Sequence, residues 1–555
     1  MPQLWTFSEP LVHFRPMFVR SKKKSESKWQ IQIVESIRVD GKTRQKILRN
    51  VATARSEKER LDFIELAESI AVEMRNKRQP VLGFADPKEI HKSRKRSEDP
   101  IKVSSLEVEK QVCDGFETVM KPIFKELEIT TGDTKTDDTI CALTMARAFK
   151  PSSKLAAHKY LKKHLDVDIP LHDIYRSLDK LADKEEPIKK AICNKTLDLF
   201  NRKVDIMFFD VTTLSFESQK SDELREFGFS KDCKFNEVQV VLALVTSKEG
   251  LPITYQLFPG NKYEGHTLIP VINELKKQFS IDKIFLAADR GMFNKDNLEE
   301  MDKQGIKYVV GAKLKTMKKQ IKNEILYEDD AKPAIVCEDL HWIKEIHLDS
   351  RKLIVGFNVK RARKDASDRQ RLIDRLLKKA KDGKIDSKKI VGNRGTAKYI
   401  KEVEKSQYEV DLEKIESDQA WDGIYGVITN SELSSNEVLS RYRGLWQIEE
   451  AFRVNKHDLK MRPIFHWTSK RIKAHILLCY ITYAMIKYLN FQIEKAGHRF
   501  SPKAFLEALT DIQSTILENK FSKKRYSIPS KLTPEAAIVL DALKIKRKAS
   551  ATALN

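Results

Sequence analysis

From Val204 onward the chain is built of short apolar runs separated by turn residues. VDIMFFDVTTLSF is β-branched and aromatic and predicts a buried strand, and EVQVVLALVTSKEGLPITYQLF predicts two more, joined through Lys248-Glu249-Gly250. TLIPVINELKKQF has helical spacing, and DKIFLAADRGMF returns to a buried strand. NKDNLEEMDKQG predicts a helix capped by Asn294 and stopped by Gly305, and IKYVVGAKL predicts a further strand. Nearer the N-terminus, WQIQIVESIRV and KTRQKILRNV alternate apolar and polar positions on either side of Asp40-Gly41, the pattern of an antiparallel hairpin. Its polar face carries Arg38, Lys42, Arg44, Lys46 and Arg49, suited to phosphate and equally to plain solvation.

Three strands, helix, strand, helix, strand is the order of a ribonuclease-H-like fold, so the expected class is α/β. The organisation expected is a basic β-hairpin and helix over 1–85, a charged linker over 86–102, and a helical, helix-turn-helix-like region over 103–200. That region has Lys154, His158, Lys159, Lys162 and Lys163 on its second helix. A first catalytic part follows over 201–312, then an inserted β-rich domain over 313–430. A second catalytic part covers 431–495, and a C-terminal helical region with a basic tail covers 496–555. At 555 residues the chain is too long for one core.

Charge narrows the class of partner. Lys and Arg number 103 against 80 acids, a formal net charge of +23, which favours an acidic polymer, nucleic acid before membrane. The six cysteines are scattered, with no C-x-x-C and no histidines at metal-site spacing, so a reducing cytoplasm and no structural zinc are expected. MPQLWTFSEPLVHFRPMF does not read as a signal peptide. HILLCYITYAMIKYLNF is interrupted by Lys487 and reads as a core helix, short of the roughly 20 apolar residues a membrane span needs.

Three carboxylates then stand out. Asp210 is expected at the end of the first buried strand and Asp289 at the end of the fourth, which lie side by side in a ribonuclease-H-like sheet. Two carboxylates so placed repel unless a cation neutralises them, and Mg²⁺ prefers oxygen ligands. A third carboxylate from a helix would complete a two-metal site for in-line attack on a phosphodiester, and Glu449 is offered at that point. In YRGLWQIEEAFRVNK, Tyr442, Glu449 and Lys456 are seven residues apart, which on one continuous helix puts them on one face, with Arg453 a turn beyond Glu449. The bland account is an i, i+4 Glu449–Arg453 pair contributing about 0.2 to 0.5 kcal/mol. Leu445, Ile448, Phe452 and Leu459 would form the apolar stripe behind it.

The combination FFDVTTL, ADRG and Y-x6-E-x6-K after a long intervening stretch resembles the DDE transposases of bacterial insertion sequences, in the group with a β-rich insertion before the glutamate. GFSKD at 228–232, GLPI at 250–253, FPGN at 258–261, Arg462-Pro463 and Ala474-His475 are similar to that group too. The resemblance implies that Asp210, Asp289 and Glu449 are catalytic metal ligands, with Mg²⁺ as cofactor and Mn²⁺ as a substitute. It implies double-stranded DNA as partner, both terminal inverted repeats and target, bound by a homodimer in the cytoplasm at the nucleoid. Tyr442 and Lys456 would hold phosphates of the DNA end. The signature arginine is displaced, since its position holds Leu445. Arg443 and Arg453 are the substitutes, and Arg453 is expected to be the better placed. Related enzymes pass through a hairpin end with a flipped base held on an aromatic, for which Trp421 and Trp446 are candidates alongside simple core packing. The competing functions are a metal-dependent nuclease of the same fold and a transposase-derived DNA-binding regulator without catalysis.

Overall fold

The computed structural model describes residues 17–25, 28–39, 42–78, 105–200, 206–229, 236–279, 285–292, 294–327, 331–381, 395–404, 407–547 and 550–554. The expected linker over 86–102 and the turn residues Asp40 and Gly41 lie outside the described residues, as does part of the 228–232 motif. The chain divides into two compact units, one of Met1–Glu109, Leu517–Tyr526 and Thr552–Asn555, the other of Lys110–Ile516 and Ser527–Ala551.

In the smaller unit the expected hairpin forms, with Lys28–Val39 paired antiparallel to Lys42–Ala54 and Val39 opposite Lys42. A strand that the pattern did not disclose, Met17–Ser25, pairs on the other edge of Lys28–Val39. Alternation buries Ile31 and Ile33 against Met17 and against Ala67 and Ala71 of the helix Glu57–Arg78. Arg44, Lys46 and Arg49 stay exposed.

The larger unit is organised by one mixed sheet of nine strands. In chain order they are β1 (Met207–Ser215), β2 (Gln239–Ser247), β3 (Pro252–Pro259), β4 (Phe285–Ala288), β5 (Lys307–Gly311), β6 (Lys332–Val336), β7 (Asp339–Leu348), β8 (Arg351–Phe357) and β9 (Ile424–Thr429). Spatially they run β6-β7-β8-β9-β5-β4-β1-β2-β3. β4 is parallel to both β1 and β5, while β2 and β3 are antiparallel additions, in keeping with the expected ribonuclease-H-like order. The strand ends match the sequence reading: Gly250 turns β2 into β3 at φ +78°, and the Asn294 side chain accepts from the Asn297 amide at 2.7 Å to cap the next helix.

The stretch over 313–430, expected as an inserted β-rich domain, is β-rich and builds largely onto the same sheet. β9 pairs antiparallel with β5, Val427 opposite Gly311, and β8, β7 and β6 follow in turn, so most strands of 313–430 extend the catalytic sheet. Completing the hydrogen bonding of β5's free edge is the physical reason. Helix α1 (Val359–Lys381) fills much of the connection between β8 and β9.

Within the helices over 103–200, Ile140, Leu143, Ile174, Leu178 and Ile188 share one core with the long helix Ser469–Lys495. Lys154 is not a surface cation there; it is 4% exposed, with Nζ 3.5 Å from His475 Nδ1. The region 496–555 is not purely helical, since it includes strands Gln513–Asn519 and Arg525–Pro529. Ser469–Lys495 is long and apolar enough to cross a membrane by length and composition, and it is mostly buried inside the fold.

Candidate active site

In β1 every residue is buried except Asp210, which is half-buried. The strand does not end there as expected; it continues to Ser215. What ends is its parallel pairing with β4, whose last register pair is Phe209 with Ala288. Asp210 and Asp289 therefore follow as neighbours on adjacent strands, and their apolar predecessors anchor both backbones in the core. Asp210 Oδ1 accepts from the Val211 amide at 2.7 Å, which fixes the orientation of the carboxylate.

The segment that carries the glutamate is not one helix. Helix α2 (Ser435–Arg443) opens on a complete capping box, with Ser434 accepting from the Glu437 amide and Glu437 returning to Ser434. It ends in a turn where the amides of Gly444 and Leu445 bond back to Arg441 and Tyr442 at 3.1 Å, and helix α3 (Trp446–Arg453) begins at once. A π-helical turn, Val454–Asp458, follows. Gly444 explains the elbow: a Cβ there would run into the Phe208 ring of β1. Close approach of backbone to sheet brings Glu449 to the cavity that Asp210 and Asp289 also line.

Asp210, Asp289 and Glu449 line one cavity of about 550 Å³, together with Tyr442, Arg443 and Trp446. The seven-residue spacing from Tyr442 to Glu449 thus survives the elbow. Lys456, in the π-helical turn, and Arg453 do not line it among the described residues. Arg453 does not pair with Glu449 either. It clamps Glu450 through two bonds of 2.7 Å and reaches Asp458 at 3.1 Å.

Tyr442 is held against the sheet because β5 ends in Gly311: a Cβ there would collide with the tyrosine hydroxyl and crowd the Arg290 amide. Burial, and then the charge of Asp289, push the phenol well above its usual range, so it remains a proton donor at any physiological pH. Arg443 is the arginine the fold brings to the cavity, contrary to the expectation for Arg453. Its Nη1 donates to the Val336 carbonyl at 2.7 Å, and its Nη2 to His341 Nε2 at 2.9 Å and to Asp339 at 3.3 Å. His341 is buried and therefore kept below its ordinary pKa, with the Arg443 charge as second cause. Because Nε2 accepts, Nδ1 bears the proton and donates to Tyr425 Oη at 2.8 Å.

The two tryptophans part company. Trp446 is 57% exposed on the wall of the acid cavity. Trp421 lies in a second cavity of about 650 Å³, with Lys315 5.9 Å above its ring. Arg361, Tyr425 and Tyr442 line both cavities.

Lys360, Arg361 and Lys364, which line the acid cavity from α1, were missed in the sequence, as were His341 and Tyr425. The basic character of α1 was legible; its placement over the acids depends on β8 and β9 joining the sheet. Among the described residues no three acidic, His or Cys side chains converge closely enough to grip an ion alone. The donor set still fits a hard divalent cation, since Mg²⁺ keeps several waters and takes only one or two carboxylates beside substrate phosphate.

No curated protein matches the chain. A piggyBac transposase synaptic complex with hairpin DNA is similar at 10% identity and a TM-score of 0.35, over 72% of this chain and 77% of that one. A Mos1 transposase paired-end complex with the left transposon end is similar at 12% identity and a TM-score of 0.14, over 28% of this chain and 53% of that one. The family model described as a transposase DDE domain matches residues 202–485, from just before β1 to within the long helix, and so spans both aspartates and the glutamate. That match takes in more than half of the 555 residues, and the chain belongs to the DDE transposase domain family, whose members cleave and transfer DNA.

Proposed function

We propose that this protein is a cut-and-paste transposase of a bacterial insertion sequence, which binds the terminal inverted repeats of its element and carries out both strand cleavage and strand transfer. The observation that carries this reading is the convergence of Asp210, Asp289 and Glu449 on one cavity. Mg²⁺, or Mn²⁺ in its place, supplies activation of the attacking oxygen and neutralisation of phosphate charge when bound. Asp210, Asp289 and Glu449 would hold it. Tyr442, kept protonated, donates to a phosphate oxygen of the DNA end, and Trp446 offers an exposed ring to an unstacked base. Arg443 holds the cavity wall and presents its charge to the same DNA end, while Arg453 and Lys456 meet the backbone further out and Trp421 lies beyond the shared wall. The working form is a dimer on DNA in the cytoplasm at the nucleoid.

The test is to incubate purified protein and Mg²⁺ with end-labelled duplex carrying the inverted repeats that flank its own locus, and to resolve the products on a denaturing gel. Metal-dependent nicks at the repeat ends, followed by joined products, are expected. Cleavage that persists in a chelator, or none with either ion while the duplex is bound, would overturn the reading.

A further inference from the structure

Helix α1 has a one-sided charge pattern that the active-site reading does not use. At about 100° per residue, Lys360, Lys364, Arg371, Arg375 and Lys378 fall within roughly 60° of one another. All five are exposed. The opposite side holds the helix in place: Leu376 is buried, Arg369 Nη2 donates to Asp422 at 2.6 Å, and Asp365 accepts from the Gly423 amide at 3.0 Å. Asn358 caps its start, accepting from the Arg361 amide at 3.1 Å.

Two of the five cations have local partners. Lys360 pairs with Asp339 at 2.6 Å, and Arg371 pairs with Asp368. Asp374, at the edge of the stripe, accepts from Gln370 at 2.9 Å. Lys364, Arg375 and Lys378 form the core of the row and span about 21 Å along the axis, about six base-pair steps of a duplex. Charges that merely solvate a helix face lead nowhere in particular. This row begins at the active site, because Lys360 and Lys364 line the acid cavity.

We infer that α1 is a rail for the phosphate backbone of the duplex whose scissile phosphodiester enters the acid cavity. The inference rests on the transposase reading for the identity of that duplex. It adds a DNA-binding element outside the N-terminal basic regions, and contacts of this kind are independent of base sequence.

Binding of a fluorescent duplex to the full chain, in Ca²⁺ to avoid turnover, tests it. In the triple variant K364Q/R375Q/K378Q, the slope of log affinity against log salt should become shallower by about 3, since each lost phosphate contact removes about 0.9. Affinity should fall alike for duplexes with and without the terminal repeat. The charge-keeping variant K364R/R375K/K378R should retain the wild-type slope. A triple variant whose slope stays within about 1 of wild type would overturn the rail. So would an equal loss of slope in the charge-keeping variant. Neither readout needs cleavage, so failure of the cut-and-paste reading shows separately, on the gel.

Discussion

Asp210, Asp289 and Glu449 line one cavity, and each directly follows a buried apolar residue, Phe209, Ala288 and Ile448. Replacing any one by Ala should lower Mg²⁺-dependent cleavage by more than the roughly 100-fold typical of losing an outer-shell partner, with duplex affinity nearly unchanged. A gel assay beside a shift assay checks both halves. The arginines make a sharper pair. Arg443 is tied to Val336, Asp339 and His341 on the cavity wall, whereas Arg453 is tied to Glu450 and Asp458 away from it. Arg443→Ala should therefore depress cleavage at least about 10-fold more than Arg453→Ala, and equal losses would show that the wall does not need the guanidinium. From sequence alone the reverse ordering follows, because a continuous helix puts Arg453 beside Glu449. Arg453 does share α3 with Glu449, but its guanidinium is turned to Glu450 and Asp458 instead.

At the scale of elements, the elbow is the feature on which the site depends. Its glycine is at φ −62°, an ordinary helical value, so the requirement is steric and comes from Phe208. Gly444→Ala should cost about 1 to 3 kcal/mol as an overpacked contact and displace α3, so that cleavage falls further than stability does. Thermal melts and cleavage rates measured on one preparation separate the two. Ser434→Ala, which removes the capping box of α2, should cost about 1 kcal/mol and leave cleavage near wild type at low temperature. Strands β1 to β5 and the helices between them were legible because each is a local pattern: an apolar run, a cap, a glycine stop. The membership of β6 to β9 in the same sheet was not legible, since edge pairing joins residues far apart in sequence and leaves no local signature.

At the scale of the whole larger unit, the long helix Ser469–Lys495 packs near a buried lysine, Lys154, that the charge count treats as a surface cation. Lys154, His466 and His475 lie together, with the two imidazole rings 5.5 Å apart. Burial, and then the charge of Lys154, lower His466 from its ordinary value of 6.5 to about 4. A base whose folded pKa is depressed binds its proton more readily when unfolded, so its contribution is intact above pH 6.5 and is lost as pH falls towards 4. The melting midpoint should drop across that window, and His466→Gln should make the drop shallower. A slope unchanged by the substitution would assign the acid sensitivity to Lys154 and His475, both of which burial also lowers.

The sequence by itself determined the order of strands and helices of the catalytic sheet, the two aspartates, the glutamate with its tyrosine seven residues before, and an excess of cations fit for DNA. Each is written in near-neighbour spacing, in composition, or in a motif whose order is preserved along the chain. Only the tertiary structure decided that Asp210 sits within its strand and not at its end, and that the stretch after β5 continues the sheet. It also decided which arginine meets the cavity, and that Lys154 is buried while the stripe of α1 leads away from the acids. Those outcomes turn on which surfaces exclude water together and on a single glycine against a phenylalanine ring, contacts between residues hundreds of positions apart that no local pattern encodes.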